Sequence, residues 1–136
     1  MTDTVPGMAD AVTAMARPAL ERDPDCLFCR IIAGELPADI VHSDDQVIAI
    51  RDIAPRAPTH LLLMPVSHIA SALELTEVDA PLVGRLLAVA ADLARSLGIA
   101  DAGYRLVSNV GAWGGQTVDH LHVHLLGGRP FDWPPG

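Results

Sequence analysis

The sequence contains no lysine. All nine basic residues are arginines, they are outnumbered by 17 acidic residues, and the formal net charge is -8. The lack of lysine excludes a lysine-based phosphate loop and a catalytic Schiff base. The acidic balance argues against nucleic-acid binding, which needs a basic surface to replace counterions. Positive charge for an anionic substrate must then come from arginine, backbone amides or a metal ion.

Aromatic residues and long apolar runs are also scarce. The chain has two phenylalanines, two tryptophans and one tyrosine, although 50% of its residues are hydrophobic. One domain with a mainly aliphatic core is expected. No apolar stretch reaches the roughly 18 residues of a membrane span, so no membrane partner is expected. The first residues do not resemble a signal peptide, which predicts a cytoplasmic protein with a mobile tail over 1–22 and a domain over 23–136.

Hydrophobic periodicity predicts an α+β fold with an antiparallel sheet. The one long amphipathic helix is predicted over 76–97, with Thr76 and Asp79 as a capping box. A short helix is predicted over 27–33, with Asp25 as its cap and Gly34 as its stop. The pattern predicts five strands, over 40–42, 47–51, 60–64, 104–110 and 118–126.

Three of the six histidines, His120, His122 and His124, alternate with Leu121 and Val123. On a strand, residues two apart share a face, so the three imidazoles are predicted to point the same way. One hypothesis is a hydrolytic zinc centre with three histidine ligands. The other is a division of labour in which one histidine binds metal, one is a nucleophile and one assists. A neutral imidazole is a competent nucleophile because its usual pKa is about 6.5.

A second candidate metal-binding unit is Cys26-Leu27-Phe28-Cys29. Two cysteines separated by two residues are half of a common zinc site, although alone they also pack as small buried hydrophobic residues. They are too close in sequence for a structural disulfide staple. With His68 and one strand histidine they would form a set of four protein ligands, which is a closed, structural site.

The loop before the histidines is rich in glycine. Gly111, Gly114 and Gly115 allow backbone amides to approach an anion, and Gln116 and Thr117 add polar groups. Taken alone, the loop could equally be an ordinary turn between strands. His60 and Asp52 lie at predicted strand ends, where a purely structural role is the alternative.

Together these segments resemble the histidine triad (HIT) family, in its Hint-like branch of nucleotide hydrolases and its zinc-binding bacterial type. The family motif alternates three histidines with apolar residues, and residues 120–126 match it at every position. Further matching segments lie at 26–32, 34–38, 58–60, 65–69, 114–117 and 133–136, so the resemblance covers about 26–136.

The resemblance implies a five-stranded antiparallel sheet with one long and one short helix, in a homodimer. It implies hydrolysis or transfer at the α-phosphorus of an AMP- or GMP-type purine nucleotide, as a phosphoramidate, acyl-nucleotide or related compound. A nucleotide-binding scaffold with incidental activity is the remaining alternative. No organic cofactor is expected.

The resemblance also implies roles for individual residues. The catalytic set would be the nucleophile His122, with His124, His60 and Thr117. Structural zinc would be held by Cys26, Cys29, His68 and His120. Substrate would be bound by Asp52, Asn109, Gly115, Gln116, Phe28, Leu36, Ile50, Leu62 and Trp133, the last reaching the neighbouring subunit's site. The chain departs from well-known relatives at Ile50, Arg51, Trp113, Thr117 and Asp119, which bears on base and leaving-group selectivity.

Overall fold

The fold is a five-stranded antiparallel sheet with a helix on each face, in a computed structural model that describes residues 22–136. All but the last residue of the predicted tail lies outside the described residues. The helices are α1 (Leu27–Ile32) and α2 (Ala80–Ser96), and two short 3-10 turns precede α2. The strands are β1 (Ile40–Ser43), β2 (Val47–Arg51), β3 (Thr59–Pro65), β4 (Arg105–Val107) and β5 (Val123–Gly127). Their order in the sheet is β1-β2-β3-β5-β4. The α+β prediction is confirmed.

Both faces of the central strands are buried. Leu61 and Leu63 of β3 point to the face covered by α2, together with Leu125 of β5. Leu62 and Met64 point to the other face, which packs against α1. This alternation follows from the two-residue period of a strand. The second face carries the histidines, so the candidate site lies between the sheet and α1.

The helix ends differ slightly from the predictions. Helix α1 is capped by Cys26, whose sulfur accepts the amide of Cys29 at 3.4 Å; Asp25 was predicted as the cap. A residue directly before the first helical turn is the one placed to meet these amides, and here that residue is Cys26. The predicted box before the long helix is confirmed, because Asp79 Oδ2 accepts the amide of Thr76 at 3.0 Å.

The prediction of a strand over 118–126 is wrong in its start, because β5 begins at Val123. Val123 pairs with Leu63. If the antiparallel pairing continued, Leu121 would pair with Pro65. Proline has no amide hydrogen, so the ladder ends there. Leu121 instead donates its amide to the carbonyl of Ile69 at 2.6 Å. The first two histidines therefore lie in an extended segment before the strand.

The edge strand β4 is likewise shorter than the predicted 104–110 and spans Arg105–Val107. The last residue of β4, Val107, pairs with His124. Only Val123 of β5 lies beyond this pair, so β4 has little strand left to pair with. Within residues 22–136, no helix is long and apolar enough to cross a membrane.

Candidate active site and metal centre

Two groups of side chains with metal-binding atoms lie on the sheet face next to α1. The first contains Cys26, Cys29, His68 and His120, and the second contains Asp52, His60 and His124. In each group the possible ligand atoms lie within 4.8 Å of one another. Burial alone does not separate them, because both groups are largely covered. The hydrogen bonds around each imidazole decide which group suits a metal.

In the first group the two sulfurs surround the buried ring of His120. The Nδ1 atom of His120 lies 3.4 Å from Cys26 Sγ and 3.5 Å from Cys29 Sγ. The Nδ1 atom of His68 lies 3.3 Å from Cys29 Sγ. A tetrahedral zinc ion with ordinary bond lengths would hold sulfur and nitrogen about 3.6 Å apart. The separations therefore match those of zinc ligands to within a few tenths of an ångström.

The tautomer of His120 also suits a metal ligand. Its Nε2–H donates to the carbonyl of Pro65 at 2.8 Å, which leaves the lone pair of Nδ1 directed at the sulfurs. Burial lowers the pKa of His120 to about 4, so the ring is neutral. Burial raises the pKa of the Cys29 thiol. A bound cation reverses that effect and stabilises the thiolate, so these four residues could hold a zinc ion.

The imidazole of His122 has a different role in the structure. Its Nδ1–H donates to the carbonyl of His120 at 2.6 Å, and Ser108 Oγ donates to the carbonyl of His122 at 2.9 Å. The ring stands edge-on to Phe28, with centroids 5.1 Å apart. Because one nitrogen is occupied as a donor, Nε2 carries the free lone pair. This arrangement can perform nucleophilic attack.

The rings of His60 and His124 form a hydrogen-bonded pair in which each tautomer is fixed. The amide of Arg56 donates to Nδ1 of His60 at 3.0 Å, so the hydrogen of a neutral His60 is on Nε2. The Nε2 atom of His60 lies 2.9 Å from Nδ1 of His124 and 3.5 Å from Oδ2 of Asp52. His124 therefore accepts at Nδ1 and carries its own hydrogen on Nε2. It can donate to an anionic oxygen beside the nucleophile, since the rings of His122 and His124 have centroids 5.1 Å apart.

Both members of this pair are held neutral. Burial lowers the pKa of His60, and the positive charge of Arg56 lowers it further against the raising effect of Asp52. Burial, followed by the neighbouring histidines, lowers the pKa of His124 to about 4. The hydrogen-bond donors of the site are therefore set by tautomer and not by protonation.

The depressed pKa of His124 predicts a loss of stability in mild acid. The pKa of about 4 in the folded protein lies below about 6.5 in the unfolded chain, so the unfolded chain binds more protons between these values. The free energy of unfolding should then be fully retained above about pH 6.5 and fall as pH approaches about 4. Urea unfolding at several pH values should show a shallower decline for His124→Gln than for the wild type. Identical declines would contradict the prediction.

The second group does not suit a metal ion. A metal-binding histidine normally donates from its other nitrogen, whereas Nδ1 of His60 accepts the amide of Arg56. Its Nε2 therefore carries a hydrogen where a metal would need a lone pair. Among the described residues, neither group of clustered ligand atoms contains more than one of the three motif histidines. The geometry thus favours division of labour over a three-histidine zinc centre.

The four apolar residues predicted to contact a base share one cluster. Phe28, Ile50 and Leu62 are buried, and Leu36 packs against them. Leu62 lies between Ile50 and His124 in the register of the sheet. The structure therefore places an apolar cluster beside the histidines, and its contact with a base stays a prediction. Asp52 also lies at the site, where its Oδ1 accepts the amide of Ala54 at 2.8 Å.

The glycine-rich loop is braced by two of the residues predicted to bind substrate. The side-chain Nε2 of Gln116 donates to the carbonyls of Ala70 and Val118 at 2.8 and 3.0 Å, and its Oε1 accepts the backbone amide of Gly111 at 3.0 Å. Asn109 Nδ2 donates to the carbonyl of Gly114 at 2.6 Å. The side chain of Gln116 is thus engaged within the protein, and its contact with substrate stays a prediction.

Close packing explains one glycine of this loop. A Cβ atom on Gly114 would lie 2.3 Å from the carbonyl oxygen of Val110, so no other residue fits without a shift of the backbone. Gly115 has φ of 80°, a conformation that favours glycine. Thr117 and Trp133 are exposed, and none of the contacts within residues 22–136 joins Trp133 to the histidines.

The sequence reasoning missed the groups that fix the tautomers. These are the amide of Arg56, which faces His60, and the carbonyl of Pro65, which faces His120. Both are backbone groups, which nearly every residue offers alike. No sequence signal identifies such contacts before the fold is known.

Comparison with known proteins finds relatives over most of the chain. The family model described as HIT domain matches residues 33–131. An uncharacterized HIT-like protein of Synechococcus elongatus is 51% identical over 112 residues, which are 82% of this chain and 97% of that protein. The purine nucleoside phosphoramidase of Escherichia coli is 47% identical over 107 residues, 79% of this chain and 90% of that protein. The crystal structure of a HIT family hydrolase from Legionella pneumophila has a TM-score of 0.81 and 50% identity, covering 82% of this chain and all of that one.

Proposed function

The chain belongs to the HIT domain family, and from this premise we propose that it is a nucleotide hydrolase or transferase. Its substrates are purine nucleoside phosphoramidates, acyl-nucleotides or related nucleotides, cleaved at the α-phosphorus. The substrate class is supported by the purine nucleoside phosphoramidase of E. coli, a relative at 47% identity. The observation that carries the proposal is the hydrogen bond of 2.6 Å from His122 Nδ1 to the carbonyl of His120, which leaves Nε2 free.

In the first proposed step, the lone pair of His122 Nε2 forms a bond to the α-phosphorus. The P–N bond of a phosphoramidate breaks, and its electron pair leaves with the amine, which takes up a proton. Thr117 is the proposed path for that proton, since its hydroxyl can both accept one from water and donate one. The product of this step is a nucleotide bound covalently to His122.

In the second step, a water oxygen attacks the same phosphorus. The P–N bond to His122 breaks, its electron pair returns to Nε2, and the water releases a proton. Charge on the phosphoryl oxygens is stabilised in both steps by the Nε2–H of His124, which the pair with His60 keeps as a donor. Amides of the glycine-rich loop would add to this stabilisation, with Asn109 at the edge of the phosphate site. The amides of Gly115 and Gln116 donate to the carbonyls of Ala112 and Gly111 in the free protein, so they would exchange these bonds for substrate oxygens.

The nucleotide is proposed to lie on the apolar cluster beside the histidines. Phe28, Leu36, Ile50 and Leu62 would contact the base. Asp52 would accept hydrogen bonds from the ribose hydroxyls. We further propose a homodimer in which Trp133, 82% exposed in the single chain, contacts the leaving group in the neighbouring site. The domain responsible comprises residues 23–136.

Zinc is the proposed ion for the group of two cysteines and two histidines. A four-ligand site leaves no position for substrate, so the ion would be structural and would tie α1 to the segment before β5. The nearby carbonyl of His120 would then hold its position relative to His122.

A turnover screen tests the proposed activity. Purine nucleoside phosphoramidates should be hydrolysed with kcat/KM at least about tenfold above dinucleoside polyphosphates, as expected for a chain 47% identical to the purine nucleoside phosphoramidase of E. coli. Rapid acid-free quenching followed by mass spectrometry should find the mass of one nucleotidyl group on the chain. Tight binding of AMP without turnover of any nucleotide would overturn the proposal and indicate a nucleotide-binding scaffold.

A further inference from the structure

The hydrogen bond that reaches Nδ1 of His60 comes from the backbone amide of Arg56, and Arg56 is itself held through its carbonyl. The amide of Arg56 donates to His60 Nδ1 at 3.0 Å. The carbonyl of Arg56 accepts two hydrogen bonds from the guanidinium of Arg129, at 3.3 Å from Nε and 2.9 Å from Nη2. Arg129 lies 73 residues further along the chain, just after β5. A single side chain therefore connects the end of β5 to the loop that carries Arg56.

Arg129 is itself held in place. Its guanidinium lies over the ring of Phe131, with Cζ 4.3 Å from the ring centroid, and its Nη1 donates to the carbonyl of Pro130 at 3.1 Å. Arg105 of β4 also faces that ring, at 5.3 Å, and donates to the carbonyl of Asp132 at 2.7 Å. The guanidinium of Arg129 is therefore held by charge-assisted hydrogen bonds to the carbonyls of Arg56 and Pro130 and by a cation–π contact with Phe131.

The loop and the end of β5 also touch directly. Gly128 has φ of 90°, and a Cβ atom there would lie 2.8 Å from Pro58 Cβ. Little room is left between the two segments, so the carbonyl of Arg56 stays within reach of Arg129. The orientation of this loop is then set by the chain after β5, not by the loop's own sequence alone.

We propose that Arg129 is a positioning residue for the phosphoryl-transfer site, acting through Arg56 and His60 on His124. With the Arg56 amide in place, the hydrogen of His60 sits on Nε2 and that of His124 on its own Nε2. Without it, His60 can take the opposite tautomer. His124 would then donate from Nδ1 and present a lone pair from Nε2 to the substrate oxygens, which it would repel.

The proposal rests on the proposed function for its kinetic consequence, but not for its spectroscopic one. In the zinc-loaded full chain, Arg129→Gln should lower kcat about tenfold, the effect of one lost hydrogen bond to a charged group, with KM nearly unchanged. Nitrogen-15 spectra of the imidazoles should show a mixture of tautomers for His60 and His124. Arg129→Lys should retain part of the wild-type kcat and part of the wild-type tautomer population, because an ammonium can still donate to the carbonyl of Arg56.

Arg22→Gln is the matched control, since Arg22 is an exposed arginine at the start of the described residues. It should leave kcat and the spectra unchanged. Wild-type tautomers in Arg129→Gln would overturn the proposal, whatever happens to kcat. If the wild type hydrolyses no nucleotide while Arg129→Gln alters the tautomers, the proposed function fails and the positioning role stands. If Arg129→Gln does not fold, Phe131→Ala, which removes the ring beneath the guanidinium, should give the same spectral change.

Discussion

Replacing His122 by alanine is expected to abolish turnover of a purine nucleoside phosphoramidate. The variant lacks the only nitrogen proposed to form a bond to phosphorus, and loss of a nucleophile lowers kcat by about 10^4-fold or more. AMP should still bind, because the apolar cluster and Asp52 remain. Steady-state kinetics and calorimetric titration with AMP measure the two effects separately.

Rescue experiments distinguish this chemical loss from a disturbed fold. His122→Gly leaves space for imidazole added to the solution, which should restore part of the activity if the ring acts as the nucleophile. The zinc content and thermal unfolding of both variants should match those of the wild type. Activity of His122→Ala within about tenfold of the wild type would refute the proposed mechanism.

Loss of His68, a proposed zinc ligand, is expected to have the largest effect on stability. His68→Gln should release zinc and lower the free energy of unfolding by about 3 kcal/mol or more, because two buried cysteines and His120 lose their common partner. The melting temperature should fall by about 10 °C or more. Chelation of the wild type should reproduce the decrease.

His42→Gln is the matched control for this substitution. His42 is half-buried, and its Nε2 lies 2.7 Å from Oδ2 of Asp44, which also accepts a hydrogen bond from Arg85 at 2.9 Å. Such contacts contribute at most about 1 kcal/mol, and no zinc should be lost. Equal zinc content in His68→Gln and the wild type would show that the four-residue group is not a zinc site.

Much of the fold could be predicted from local patterns. Residues 47–50 of β2 are an uninterrupted apolar run, and this strand is found where predicted. Helix α2 has leucines and alanines at helical spacing, but it begins at Ala80, four residues after the predicted start. The ends of β4 and β5 were predicted less well because they depend on partners. β5 starts at Val123 because Pro65, which is distant in sequence, cannot extend the hydrogen-bonded ladder.

The sequence by itself determined which side chains are available and which share a face. Two closely spaced cysteines, three alternating histidines and their apolar neighbours are local features, and a strand period predicted one shared face for the histidines, although only His124 lies on β5. The tertiary structure decided which group faces each imidazole nitrogen, where the sequence implied different roles only through the family resemblance. His120 meets sulfur on one nitrogen and the carbonyl of Pro65 on the other, His122 meets a carbonyl, and His124 meets His60. These partners are backbone groups or side chains distant in the chain, and they fix the tautomers because each imidazole nitrogen must match the donor or acceptor that faces it.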